Sequence, residues 1–138
     1  DWYQLLLDMI HGEEHAELRR GYWERQTIWA KEAVRRSPAH ADAHLFCANQ
    51  LWARALHSDI PDPEEMLLES LDYYRTALRL SPNSPGYYFS LSRGLRSLGN
   101  AYYRAGRNEE GAMFHGRGVA VQKRGEDLRQ RRFSMGLS

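Results

Sequence analysis

Two histidines near the start of the chain have a spacing that suits metal chemistry. The segment His11-Gly12-Glu13-Glu14-His15 matches the letters H-x-x-E-H. On a helix, His11 and His15 would share one face and could ligate zinc while a glutamate activates water. Gly12 interrupts that helix, and 138 residues are too few for the large α/β domains that carry such sites. We therefore expect a solvated polar helix face without a metal, and keep a metal-dependent hydrolase only as a third alternative for the function.

A second set of soft ligands follows the first proline. His40, His44 and Cys47 are spaced by four and three residues, so one helix face could offer all three to a metal. A buried cysteine, however, behaves as a small apolar residue, and positions of this kind also pack between helices. The spacing leaves both interpretations open, and we favour core packing for His44 and Cys47.

Other arrangements that would support catalysis are missing from the sequence. No glycine-rich phosphate loop follows a strand pattern, and Gly116-Arg117-Gly118 falls inside a helical pattern where close helix packing is its simpler meaning. No G-x-S-x-G elbow or nucleophile–base pair is present. The sequence therefore predicts a protein that is not an enzyme, with no catalytic residue, cofactor or metal.

Composition and charge limit the other classes. The chain has the length of a single domain, and its net charge of +1 argues against a general nucleic-acid binder. Apolar runs such as Leu5 to Leu7 are far shorter than the roughly 20 residues that cross a bilayer, so no membrane insertion is expected. The one cysteine excludes an internal disulfide and favours a reducing compartment such as the cytoplasm.

Charge is unevenly divided along the chain. Residues 1–81 carry a net charge of −5 and residues 82–138 a net charge of +6. Such an asymmetry suits head-to-tail stacking between subunits or an acidic partner, but an uneven solvated surface would look the same. The basic cluster at the end of the chain is expected to be a frayed, solvated terminus; it comprises Arg129, Arg131 and Arg132.

Apolar residues recur at helical spacing throughout, and no alternation long enough for a strand occurs. Ser37-Pro38 and Ser81-Pro82 end helical runs, while Asp62-Pro63 and Ser84-Pro85 have the cap-then-proline pattern of helix starts. Gly21 and Gly106 each lie between two helical patterns, where a positive φ would let the chain reverse. The predicted helices are about 2–20, 22–36, 39–57, 63–80, 85–105 and 107–124, with a short one at 126–133.

The third predicted hairpin carries a family resemblance. The segment from Leu98-Gly99 through Tyr102 and Gly106 to Gly111 resembles the tetratricopeptide repeat. Two earlier segments resemble repeat ends: Gly21, Ala33, Val34 and Pro38, and then Tyr74, Ala77, Leu78 and Pro82. The resemblance implies an all-α fold, three antiparallel helix hairpins stacked as a short right-handed solenoid. These hairpins would cover about residues 2–36, 39–80 and 85–124 of a single domain, with a tail at 125–138.

The repeat register implies which side chains are buried. Small residues let the helices approach closely while larger ones fill the space opposite. The side chains expected in the core are Ala33, Val34, Ala77, Leu78, Leu98 and Tyr102. Trp2, Trp23 and Trp29 are expected to be core aromatics of the first hairpin.

The same register implies a concave groove lined by the first helix of each hairpin. The second hairpin would present Asp42, Leu45, Phe46, Asn49, Trp52 and Ala53, and the third Arg93, Arg96, Ser97, Asn100, Tyr103 and Arg104. From these, the expected partner-binding residues are Asn49, Trp52, Arg93, Arg96, Asn100, Tyr103 and Arg104. The face that the third hairpin presents is basic and aromatic, which suits an extended acidic peptide. The arginines could equally form the solvated stripe of an amphipathic helix.

The function implied by the resemblance is that of a non-enzymatic scaffold that binds a partner protein or peptide in this groove. The alternative is a self-assembly module whose repeat ends stack between subunits and make a homo-oligomer. Asn49 matches one position of the carboxylate clamp found in part of the family. Leu45 and Ser97 replace other clamp residues, so we expect that clamp to be absent.

Overall fold

The chain is described by a computed structural model that covers the backbone of residues 1–57 and 60–136, and the side chains in these ranges except at 6–11 and 13–15. Five α-helices follow one another: α1 Trp2–Arg36, α2 Ala41–His57, α3 Glu64–Leu80, α4 Pro85–Arg104 and α5 Asn108–Ser134. The described ranges contain no strand, and no described helix is long and apolar enough to cross a membrane. The all-helical class predicted from the sequence is confirmed.

Local sequence explains where these helices begin and end. The α1 helix ends at Arg36, where the Ser37 backbone N–H still reaches the Ala33 carbonyl before Pro38 stops the helix. Ser84 and Pro85 begin α4 as cap and first residue, as predicted. The α3 helix begins one residue later than predicted, at Glu64, whose backbone N–H is 3.3 Å from an Asp62 carboxylate oxygen.

Gly106 makes the reversal between α4 and α5. Its φ is +79°, in the left-handed region that glycine enters without steric cost. The Arg107 N–H donates to the Tyr102 carbonyl across this turn at 2.9 Å and satisfies one of the last carbonyls of α4. The turn predicted at Gly106 is confirmed.

The turn predicted at Gly21 is wrong, because α1 runs unbroken from Trp2 to Arg36. A single glycine costs a helix only about 1 kcal/mol, and no proline follows Gly21 to stop the next turn. The predicted break near residue 125 is also wrong, since α5 continues to Ser134. The described chain therefore contains one long helix followed by two antiparallel hairpins, α2–α3 and α4–α5, in place of three hairpins and a frayed tail.

Each helix packs against the one that precedes it in the chain. The larger core cluster lies among α2 to α5 and includes Leu67, Leu71, Tyr74, Leu95 and Leu98. Tyr102 and Phe114 stack within it, with ring centroids 5.3 Å apart and planes 11° from parallel. A smaller cluster of Ala30, Cys47 and Leu51 joins α1 to α2.

The predicted core is confirmed best in the hairpins. Leu98 and Ala77 are fully buried and Tyr102 nearly so, whereas Leu78, Ala33 and Val34 are only half-buried. The expectation for the tryptophans of α1 is wrong. Trp2 and Trp29 are 74% and 68% exposed and Trp23 is half-buried, because the second helix that was to cover them does not form.

Glycines let α4 and α5 approach closely. A Cβ on Gly99 would lie 2.9 Å from the Gly111 carbonyl oxygen, and one on Gly118 would lie 3.2 Å from the Ser92 carbonyl oxygen. The buried Ser92 hydroxyl donates to the Gly118 carbonyl at 2.7 Å across the same contact. The sequence predicted close helix packing at Gly116-Arg117-Gly118. This is confirmed at Gly118 only, since nothing lies near Gly116.

Candidate partner-binding face

The candidate site is the exposed side of α4, together with the edges of α2 and α5 that border it. The α4 helix contains Arg93, Arg96 and Arg104 and no acidic residue. All three arginines are exposed, as are Asn100 and Tyr103. We call this surface, with Asn49 and Trp52 of α2, the α4 face.

Trp52 and Arg93 join α2 to α4 at the centre of this face. The Arg93 guanidinium carbon lies 3.9 Å from the centroid of the Trp52 ring, in cation–π geometry. The Trp52 indole N–H donates to the Ser97 hydroxyl at 2.8 Å, and Ser97 is one turn from Arg93. The indole is therefore held in one orientation by two residues of the neighbouring helix.

A hydrogen-bond network beside this pair fixes Asn49. Its side-chain oxygen accepts from the Tyr74 hydroxyl at 2.6 Å and from Arg93 Nη2 at 2.8 Å. Burial raises the pKa of the Tyr74 hydroxyl, and Arg93 partly opposes this shift. Because the Asn49 oxygen takes both internal donors, its amide nitrogen keeps two N–H groups for a carbonyl or carboxylate oxygen of a partner.

A second contact between α2 and α4 lies near the start of both helices. The Tyr87 hydroxyl, in the first turn of α4, donates to the Asp42 carboxylate at the start of α2. This hydrogen bond, with burial second, raises the pKa of Tyr87 to about 12. Asp42 thus contacts the start of α4, and it reduces the positive charge at that end of the face.

The other edge of α4 borders α5. The His115 Nε2–H of α5 donates to the Asn100 oxygen at 2.7 Å. The Tyr103 ring lies 5.5 Å from the His115 ring and covers Gly111, where an added Cβ would lie 2.9 Å from ring atoms. Tyr103 remains 41% exposed, so it presents an apolar surface that is already held on one side.

The remaining two arginines are less constrained. The Arg96 stem crosses Gly118, and its Nε lies 3.4 Å from the Ser92 carbonyl oxygen. Arg104, at the end of α4, borders an open cavity of about 470 Å³. The other residues that line this cavity are Pro61, Asp62, Pro63, Glu64, Ala101 and Ala105.

The structure thus distributes the seven predicted site residues in three groups. Arg93 contacts both Asn49 and Trp52, while Arg96, Asn100 and Tyr103 lie along the α5 edge. Arg104 lies apart at the helix end. The predicted set missed Tyr74 and His115, which position Asn49 and Asn100. Both belong to the second helices of the hairpins, and the repeat register assigned groove residues only to first helices.

The structure describes one of the two metal-binding sets considered from the sequence. His44 is nearly buried, and its Nε2–H donates to the Pro38 carbonyl at 2.8 Å. Cys47 is fully buried, and burial raises the pKa of its thiol to about 11, which disfavours the thiolate that metals bind. The packing role predicted for these two residues is confirmed. The side chains of His11 and His15 lie outside the described ones, so that prediction stays a prediction.

Comparisons of the chain with protein-family models and with curated protein sequences found no match.

Proposed function

We propose that this chain is a non-enzymatic interaction module with tetratricopeptide-like hairpins, which binds an acidic segment of a partner protein across the α4 face. The observation that supports this most is the charge of α4, since three exposed arginines share the helix with no acidic residue. The guanidinium groups of arginine form paired hydrogen bonds with carboxylates, and the partly buried Tyr103 ring beside them supplies apolar contact.

Preorganisation of the face also supports the proposal. Arg93 contacts both Trp52 and Asn49 before a partner arrives, which reduces the side-chain entropy lost on binding. Arg93 keeps donors beyond those given to Asn49 and Tyr74, and the Asn49 amide can donate to a peptide backbone. The face therefore combines charge recognition with backbone recognition.

The experiment uses fluorescence anisotropy with a labelled peptide rich in aspartate, glutamate and leucine, and a lysine-substituted version of the same peptide. We expect the acidic peptide to bind and the lysine version to fail, with affinity falling as salt rises because exposed charges are screened over about 8–10 Å. Replacing Arg96 and Arg104 with alanine should weaken binding about tenfold or more. Tyr103→Ala should weaken it more than either single arginine change, if the ring is the desolvated anchor.

A matched control replaces Arg75 and Arg79, two exposed arginines of α3, with alanine. This variant has the same charge as the Arg96 and Arg104 variant but leaves the α4 face intact. Equal loss of binding in both variants would show that net charge matters and the α4 face does not. Normal binding by the Arg96 and Arg104 variant would overturn the proposal.

A further inference from the structure

The α1 helix extends far beyond the helices that support it. Its 35 residues span about 52 Å, against about 25 Å for the 17 residues of α2. Contact with the other helices is concentrated in its second half, where Ala30 and Thr27 are buried and Lys31 pairs with Glu69 at 2.7 Å. Every described side chain before Gly21 is exposed or half-buried.

This helix carries an apolar stripe on the side away from that contact. Leu18, Tyr22 and Trp29 are separated by four and seven residues and therefore share one face. They are 69%, 51% and 68% exposed. We call these three residues the α1 stripe. Helical spacing places them opposite the buried Thr27, and their exposure shows that no other described helix covers them.

The area of the stripe is sufficient for a contact with a second copy of the chain. Its three side chains together expose roughly 400 Å², within the range of the largest apolar patch on a typical monomer. With the exposed Arg25 side chains on the same face, two such stripes packed together would bury roughly 1,000 Å², about the minimum for a specific protein–protein interface.

The charge on the same face suits a second copy of this chain. Arg25 lies on the stripe between Tyr22 and Trp29. In an antiparallel pair with the contact centred between residues 23 and 24, Leu18 of each copy faces Trp29 of the other. Tyr22 then faces Arg25, a cation–π pair that occurs twice because a two-fold interface repeats every contact.

We propose that two copies of the chain form an antiparallel dimer through the α1 stripe. The contact is isologous and closes after two subunits, unlike the head-to-tail stacking considered from the charge distribution. It uses a described surface where three large apolar side chains share one face of a helix. The exposed side of α5 offers mainly small and charged residues around Val119. The dimer leaves the α4 face free and does not depend on the proposed function.

Sedimentation equilibrium tests the proposal on the whole chain. At about 100 μM, where a dimer with a Kd of about 1 μM is nearly fully formed, we expect twice the mass of one chain. Trp29→Glu places a charge in the contact and should raise the dissociation constant at least about a hundredfold. Because Trp29 is exposed in the single chain, far-UV circular dichroism of this variant should be unchanged.

Val119→Glu is the matched control, since Val119 is 64% exposed on α5 and lies outside the stripe. This variant should dimerise normally, as should the Arg96 and Arg104 double alanine variant. A monomeric wild-type chain at about 100 μM, or a dimer that survives Trp29→Glu, would overturn the proposal. Loss of association in Val119→Glu, or open-ended oligomers in the wild type, would show head-to-tail stacking instead and would also overturn it.

Discussion

At the scale of single residues, the α4–α5 hairpin depends on a few side chains that fill the space between close helices. Leu98 is fully buried and lies in the same cluster as Leu95, Tyr102 and Phe114. The two helices are in close contact beside it, since an added Cβ at the neighbouring Gly99 would lie 2.9 Å from the Gly111 carbonyl oxygen of α5. Such a site cannot readily collapse around a missing side chain.

Leu98→Ala should therefore lower the free energy of unfolding by about 2–5 kcal/mol, through lost burial and the cavity that remains. Urea unfolding followed by circular dichroism measures this change. Leu80→Ala is the control, because Leu80 is 43% exposed at the end of α3 and should cost much less. Equal costs at the two positions would contradict the packing described for Leu98.

At the scale of elements, α1 distinguishes this chain from a regular array of hairpins. Trp2 and Trp29 are exposed because no second helix folds back from Gly21. Gly21 is inside the helix, and an added Cβ there would meet only the flexible end of Arg25, at 3.3 Å. A turn at the same residue would instead have required a positive φ that alanine tolerates poorly.

Gly21→Ala discriminates between these two structures by the sign of its effect. In a continuous helix, alanine should raise stability by up to about 1 kcal/mol and increase the helical signal. Gly106→Ala is the comparison, since Gly106 has a φ of +79° and alanine there should destabilise the chain. Thermal unfolding of the two variants gives both signs, and destabilisation by Gly21→Ala would argue for a turn in α1.

At the scale of the whole molecule, a buried thiol and a half-buried phenol couple stability to alkaline pH. The pKa of Cys47 rises from 9.0 to about 11, chiefly through burial, and that of Tyr73 rises from 10.0 to about 12 for the same reason. In both groups the folded state holds its proton to higher pH than the unfolded state. The stabilisation that these two groups contribute is therefore complete below the pKa values of the unfolded chain, and it decreases as the pH rises above them.

We expect stability to fall between about pH 9 and pH 12, because the unfolded chain loses these protons first. The urea midpoint measured across this range should decrease with pH. Cys47→Ala removes one titrating group and should flatten the decrease, whereas an alanine at exposed Arg75 should leave its slope unchanged. A midpoint that stays constant from pH 8 to pH 11 would contradict the burial of Cys47 and Tyr73.

The sequence by itself determined the features that depend on local physics. Helical periodicity established the all-α class, and Ser84-Pro85 and Gly106 marked helix ends by backbone constraints that act within a few residues. The burial of Leu98, Ala77 and Tyr102 was expected from the resemblance to a repeat, and these residues are buried in α3 and α4. Seven candidate site residues could be named from the repeat register, because residues at helical spacing share a face.

Only the tertiary structure decided what depends on partners far away in the chain. Glycine at position 21 destabilises a continuous helix only slightly and also permits a turn. The local sequence therefore cannot decide between a turn and a continuous α1. Whether Arg93 stacks on Trp52 or stays solvated depends on where α2 lies relative to α4, and 41 residues separate the two side chains. The exposure of Trp29 likewise reflects the absence of a covering helix among the described residues, which no spacing within α1 specifies.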